Sequence, residues 1–200
     1  MKILHLSDTH GKHHLLKNLP AADIIIHCGD MSMAGTGKEV NDFVKWFGGL
    51  DYEYKIFIAG NHDDCLDGKK PEVIQRFLPP NCHYLYNSGI EIEGIKFWGV
   101  PLFMSDDFCV RSPQIMAQIP TDTDILVTHR PPYGILDDNT FGCPDLLLAV
   151  FKINPRYHLF GHIHCAYGVE KSKNTTFVNG ALSNENYALV NKPVLLEIGD

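Results

Sequence analysis

Aspartate, asparagine and histidine recur along this chain in short clusters whose spacing suits metal coordination. Asp8-Thr9-His10, Gly29-Asp30, Gly60-Asn61-His62-Asp63, Thr128-His129 and Gly161-His162-Ile163-His164 each follow an apolar run that reads as a strand. Asp8, His10, Asp30, Asn61, His129, His162 and His164 offer carboxylate, amide and imidazole donors and no thiolate, a mixture that suits Mn²⁺, Fe, Zn²⁺ or Co²⁺. That is too many donors for one tetrahedral zinc, and it fits two divalent ions sharing a bridging carboxylate. In D-x-H and H-x-H, residues two apart on an extended chain point the same way. Glycines 29, 60 and 161 permit sharp turns and close backbone approach. Singly, each cluster has an ordinary reading: Gly-Asp as a turn, Asp8-Thr9-His10 as a helix cap, His129 as a hydrogen-bonded core histidine. Their order, and their position at five strand ends, argue for one centre.

Strands must bring these clusters together, and the sequence predicts them at 3–7, 23–28, 55–59, 90–93, 95–100, 124–128, 157–160, 175–179 and 194–198. The run Ile24-Ile25-Ile26 is continuously apolar, as in a strand covered on both faces. Glu93-Gly94 marks a hairpin. Between strands, Val40, Phe43, Val44 and Phe47 form one apolar stripe over 37–47. Thr36 with Glu39 makes a capping box at the start of that helix, and Gly48 suits its C′ position. Pro71 and Pro144 mark the first turns of two more helices. Strand and helix alternate, which predicts an α/β protein; the hairpin and the strand-rich C-terminus predict a mixed sheet, or two sheets packed face to face. In such sheets functional groups gather beyond the carboxyl ends of strands.

Length and composition set outer bounds. The 200 residues predict one domain, 1–200, with an ordinary 44% of hydrophobic residues. A net charge of −7 argues against a nucleic-acid polymer as partner but not against a small phosphate ester. The N-terminal run MKILHLSDTH is too short for a signal peptide, and no apolar stretch is long enough to span a bilayer. Six scattered cysteines without CxxC spacing predict reduced thiols in a cytoplasmic protein.

The ordered pattern D-x-H, G-D, G-N-H-D, H and G-H-x-H, from Asp8 to His164, resembles the calcineurin-like metallophosphoesterase superfamily. Tyr52-Glu53-Tyr54-Lys55 running into Ile58-Ala59-Gly60-Asn61-His62, and Thr128-His129-Arg130-Pro131-Pro132-Tyr133-Gly134, look like its MPPED-type phosphodiesterases. The resemblance implies a four-layer αββα sandwich with two central mixed β-sheets, and hydrolysis of phosphodiesters such as cyclic nucleotides. It implies that Asp8, His10 and His164 hold one metal, that Asn61, His129 and His162 hold the other, and that Asp30 bridges both. It places His62 facing the substrate rather than a metal. Some animal members of that subgroup replace the first histidine of G-H-x-H by glycine; here His162 is present, which favours a competent pair. Protein phosphatases of the superfamily carry G-D-x-V-D-R-G, whereas this chain has Gly29-Asp30-Met31-Ser32-Met33-Ala34-Gly35, a departure that counts against a protein substrate. A phosphomonoesterase or protein phosphatase is the alternative enzyme. A catalytically dead scaffold is the alternative outside catalysis, and it would ordinarily lack His62 or several ligands.

The expected mechanism uses two metal ions, a metal-bridging hydroxide as nucleophile and His62 as acid toward the leaving oxygen. Asp63 is expected to orient His62, unless it is a solvated turn carboxylate. Arg130, next to a ligand, could grip the substrate phosphate or sit in a surface loop. His13 and His14 could line the mouth of the site, although solvated helix positions suit them better. His5, His27, His83 and His158 are expected in strands or loops without ligand roles. Cys65 and Cys165 are expected to be inert, and Trp46 and Trp98 to anchor the core. The stretch 102–120, with Asp106, Asp107, Phe108 and Arg111, reads either as a substrate rim or as a plain surface connection.

Overall fold

Alternate side chains of the predicted strands face different layers. The structure, a computed structural model, describes residues 1–104, 108–139 and 141–199. Strands β1 (Lys2–Leu6), β2 (Ile24–His27), β3 (Tyr54–Phe57) and β4 (Cys82–Tyr84) run parallel, and β11 (Val194–Glu197) adds to β1 antiparallel, giving the order β11-β1-β2-β3-β4. The second sheet has the order β5-β6-β7-β8-β10-β9. Its members are β5 (Ser88–Ile92), β6 (Ile95–Val100), β7 (Ile125–Thr128), β8 (Tyr157–Phe160), β9 (Gly168–Lys171) and β10 (Thr176–Asn179). Its inner neighbours are parallel, and β5 and β9 close its edges antiparallel. Both sheets are therefore mixed.

Three apolar clusters define four layers. Ile3, Ile24, Ile26 and Ile56 of the first sheet meet Phe97, Ile125, Val127 and Leu159 of the second in the central layer. On the outer face of the first sheet, Leu4, Ile25 and Phe57 bury Val40, Phe43 and Phe47 of α1 (Gly37–Gly48). On the outer face of the second, Leu126, Phe160 and Phe177 bury Leu146, Val150 and Ile153 of α4 (Pro144–Ile153), together with Met116 of α3 (Phe108–Met116). The αββα sandwich implied by the resemblance is the fold found. Ile24-Ile25-Ile26 is apolar throughout because its two faces supply two different cores.

The expected punctuation is present. Thr36 and Glu39 form the capping box of α1, which runs through Gly48 so that Gly49, one residue later than expected, caps it. Pro71 opens the short α2 (Pro71–Ile74) and Pro144 opens α4, which ends where Asn154 turns left-handed at φ 52°. Three elements were not expected: β4, β9 and α3. Asp106 and Asp107, and the side chains of Phe108 and Arg111, lie outside the described residues. The remainder of the 102–120 stretch is more than a plain connection, because Leu102, Met116 and Ile119 are buried in the outer layer.

Candidate metal centre

Backbone hydrogen bonds sew the two sheets together at one edge. Beyond β10 the chain crosses to the first sheet: Ser7 N donates to Gly180 O (2.9 Å) and Leu182 N to Ser7 O (3.0 Å). Leu102 N, beyond β6, donates to Ala59 O beyond β3 (3.3 Å). His10 N donates to Asp30 O (3.0 Å) and Gly161 N to His129 O (3.1 Å). The ends of β1, β2, β3, β7 and β8 thus converge, and the five polar clusters with them.

Crowding at this edge explains the glycines. A Cβ on Gly60 would lie 2.2 Å from Asp30 Oδ1, and one on Gly161 would lie 2.1 Å from Asp8 Oδ2. The acidic side chains occupy the space that any other residue would fill. Asp8, His10, Asp30 and His162 themselves take positive φ of 57°, 44°, 56° and 71°. Each costs on the order of 1 kcal/mol or more, and their clustering here marks backbone strain spent on aiming side chains.

Within this frame, ligand atoms of Asp8, His10 and His164 lie within 4.8 Å of one another, as do those of Asp30, His129 and His162. Asp30 Oδ2 stands between the groups, 3.7 Å from His10 Nε2 and 3.4 Å from His129 Nε2. Asn61 Oδ1 lies 3.0 Å from His129 Nε2, and His10 Nε2 lies 3.2 Å from His164 Nε2. Asp8 and Asp30 are fully buried, and among the described residues their ion pairs are all with imidazoles.

The donor set fits a pair of cations. His129 Nδ1 meets the Cys28 carbonyl at 2.7 Å and His164 Nδ1 meets the Asn184 carbonyl at 2.9 Å. A carbonyl can only accept, so both rings carry hydrogen on Nδ1 and present Nε2 to the cluster. Such backbone partners fix the tautomer of metal-ligating histidines. Two buried carboxylates side by side need positive charge, which the imidazoles alone supply only by protonation. Burial raises the Asp8 carboxyl, and the His164 hydrogen bond with the charges of His129, His164 and His10 outweighs it, leaving the group below the usual carboxylate range. Burial lowers His129, but Asp30 and then Asp8 raise it to about 9. Burial holds His10 and His162 at about 4, so these rings keep free lone pairs at neutral pH.

His62 is half-buried, its ring 4.7 Å from that of His10, and its ligand atom lies within 4.8 Å of those of His10 and Asp30. Its Nδ1 meets the Met33 carbonyl at 2.9 Å and its backbone N donates to Asp30 Oδ1 at 2.8 Å. The expected pairing of Asp63 with His62 is not the one found. Asp63 is fully buried and accepts from Gly60 N (2.9 Å), Ser32 N (2.9 Å), Ser32 Oγ (2.7 Å) and Met31 N (3.3 Å). Nor is it a solvated turn residue: a buried carboxylate needs donors, and these loops supply four. Burial and the Asp30 charge raise it to about 6 despite those bonds.

Arg130 Nε donates to Phe141 O (2.8 Å), which ties the guanidinium to the loop after β7. His13 and His14 do not line the mouth of the site, and His13 is buried in a 3₁₀ turn rather than solvated on a helix. His5, His27, His83 and His158 lie in strands. Trp46 packs against the outer core of the first sheet and Trp98 against that of the second.

A cleft of about 330 Å³ opens over the cluster, lined by Asp30, Asn61, His62, His162 and His164, and also by Asp138, Phe141, Glu185 and Tyr187. Tyr187 escaped the sequence reading. Its ring centroid is 4.7 Å from that of His10, 5.9 Å from His62 and 5.7 Å from His164. It belongs to the 184–190 loop, which also supplies the carbonyl for His164, and no motif marks that loop.

Two mixed sheets that gather aspartate, asparagine and histidine at their carboxyl edge form the architecture of a metallophosphoesterase. The chain belongs to the calcineurin-like phosphoesterase family, whose model matches residues 1–166. It is 35% identical over 227 residues to human metallophosphoesterase domain-containing protein 1, covering 96% of this chain and 69% of that one. It is 33% identical over 219 residues to UPF0046 protein K07C11.7 of Caenorhabditis elegans, covering 99% and 75%. The solved structure of TT1561 from Thermus thermophilus superimposes with a TM-score of 0.65 over 89% of this chain and 88% of its own, at 15% identity, a likeness of fold. No helix among the described residues is long and apolar enough to cross a membrane.

Proposed function

We propose that this chain hydrolyses small phosphodiesters, cyclic nucleotides among them, with two divalent ions: one on Asp8, His10 and His164, the other on Asn61, His129 and His162, with Asp30 shared. The observation that carries this reading is the placement of Asp30 Oδ2 between His10 Nε2 and His129 Nε2. When bound, such ions lower the pKa of water and neutralise phosphate oxygens.

The remaining tasks fall to the chain. The Cys28 and Asn184 carbonyls hold the His129 and His164 rings in place. The Met33 carbonyl takes the Nδ1 hydrogen of His62, so Nε2 is the nitrogen left to give a proton to the leaving oxygen. Tyr187 and Phe141, the latter 54% exposed, offer flat apolar surface for a base or another leaving group. Asp138 and Glu185 place negative charge on the rim. That charge penalises a monoester dianion more than a diester monoanion, which favours diesters.

The test is a kcat/KM comparison of p-nitrophenyl phosphate, bis-p-nitrophenyl phosphate and 2′,3′- and 3′,5′-cyclic nucleotides, with Mn²⁺, Zn²⁺, Co²⁺ and Fe²⁺ supplied separately. Diesters are expected to be preferred with at least one ion. Preference for the monoester with every ion would overturn the diester reading, and no turnover with any pairing would overturn catalysis itself.

A further inference from the structure

A second group of metal-type donors stands apart from the centre. His13 and His14, in the turn His13–Leu15 that follows the first motif, both direct Nε2 at one oxygen, Asp42 Oδ2 on α1, at 3.2 and 2.9 Å. We propose that His13, His14 and Asp42 form a third binding site for a borderline divalent cation such as Zn²⁺, which clamps α1 to the loop carrying His10.

The geometry already approaches coordination. Donor atoms bound at about 2.1 Å in a tetrahedron lie about 3.4 Å apart, and the two Nε2–Oδ2 separations are 3.2 and 2.9 Å. All three ligand atoms fall within 4.8 Å of one another. Two imidazoles and a carboxylate suit zinc, nickel, copper or cobalt, and not calcium or magnesium, which prefer oxygen alone.

One ligand is preset and the other two are accessible. The His13 ring is buried between Phe43 (centroids 5.5 Å) and Trp46 (5.0 Å), so its direction is fixed by packing. Its Nδ1 has no partner among the described residues, which leaves Nε2 as the ring's working nitrogen. The His14 and Asp42 side chains are 54% and 56% exposed, giving the ion an entry path and room for water ligands. Protonation of His13 is a poor alternative way to satisfy this group. The His13 and His14 rings are 4.3 Å apart, and burial followed by the His14 charge lowers the His13 pKa. A neutral His13 ring is the form that binds metal.

A clamp here has structural reach. His10 lies three residues before His13, Gly11 N donates to Met31 O (2.9 Å), and Lys12 Nζ donates to the Tyr187 carbonyl. An ion joining this turn to α1 would steady the first-motif loop without touching the cleft.

The experiment equilibrates the metal-free full chain with Zn²⁺ buffered in the micromolar range and counts zinc per chain by elemental analysis. His14→Ala and Asp42→Asn are each expected to bind one equivalent fewer than the unaltered chain. An Asp30→Asn chain should lose zinc from the main centre yet still lose a further equivalent on adding His14→Ala, so failure of the two-ion centre and failure of this site can be told apart. Ring-resolved ¹H–¹⁵N NMR of the unaltered chain, which needs no variant to fold, should show His13 and His14 shifting with that equivalent. Equal stoichiometry in all pairs, or unmoved His13 and His14 resonances at micromolar zinc, would overturn the proposal.

Discussion

Asp63 and His62 are neighbours with opposite consequences when altered. The Asp63 carboxylate joins the loop after β2, through Met31 and Ser32, to the loop after β3, through Gly60. Removing it leaves buried N–H groups without an acceptor. Asp63→Ala is therefore expected to destabilise the fold by about 3 kcal/mol, the cost of abandoned donors and lost charge-assisted bonds, read as a lowered urea midpoint. His62 accepts no such load. His62→Ala should retain both metals by elemental analysis and keep its urea midpoint, while kcat on the diester substrate falls on the order of a hundredfold or more. Full turnover with metals retained would remove His62 from the chemistry. The seven candidate ligands were legible because residue type and two-residue spacing survive without coordinates. Asp63 was misread for the same reason: adjacency in G-N-H-D says nothing about which way a side chain turns, and beside Gly60 its partners are the distant Met31 and Ser32. Tyr187 and the Asn184 carbonyl were invisible, since a ring beside three histidines and a backbone acceptor leave no spacing signature.

Helix α1 shows the same logic at the scale of an element. Its capping box is local, and so is its signal. Thr36 Oγ1 accepts from Glu39 N (3.3 Å), and the Glu39 carboxylate accepts from Thr36 N (3.1 Å). The Glu39 carboxylate also accepts from Met33 N (3.2 Å) and Ala34 N (3.1 Å), so the cap shapes the segment whose Met33 carbonyl holds His62. Thr36→Ala is expected to cost about 1 kcal/mol, measured by chemical denaturation, with a smaller loss of kcat than His62→Ala. The unexpected elements lacked local signals. β4 is three residues long, and β9, Gly168–Lys171, is an edge strand with three exposed residues. Pro113 lies inside α3 and obscures its pattern. Each owes its existence to a neighbour: β4 to β3, β9 to β10, and α3 to the outer face of the second sheet.

Across the whole molecule, buried histidines tie stability to pH. His5 lies against Cys28 between the sheets, His27 sits under α1 beside Phe43, and His158 lies under α4 beside Phe160 and Phe177. Burial lowers each of them from 6.5 to about 3. In the unfolded chain these rings protonate near pH 6.5, whereas in the folded chain they stay neutral until about pH 3. Above pH 6.5 neither state holds the protons, and the stability is fully present. As pH falls below 6.5 the unfolded chain gains protons that the fold refuses, so stability declines down to about pH 3. Within that window each ring shifts the unfolding equilibrium roughly tenfold per pH unit. The carboxyls held low by their partners, Asp42 and Asp122 among them, act in the same direction at still lower pH. Thermal midpoints measured with a chelator present, which separates this effect from metal release, should fall steadily from pH 6 to 4. His158 is the ring to alter, since Thr128 Oγ1 is its hydrogen-bond partner and it stands outside the metal centre. His158→Gln should flatten the decline by about one ring's share. A midpoint that stays level down to pH 4.5 would show that these rings are protonated in the folded chain, and that their burial does not exclude the proton.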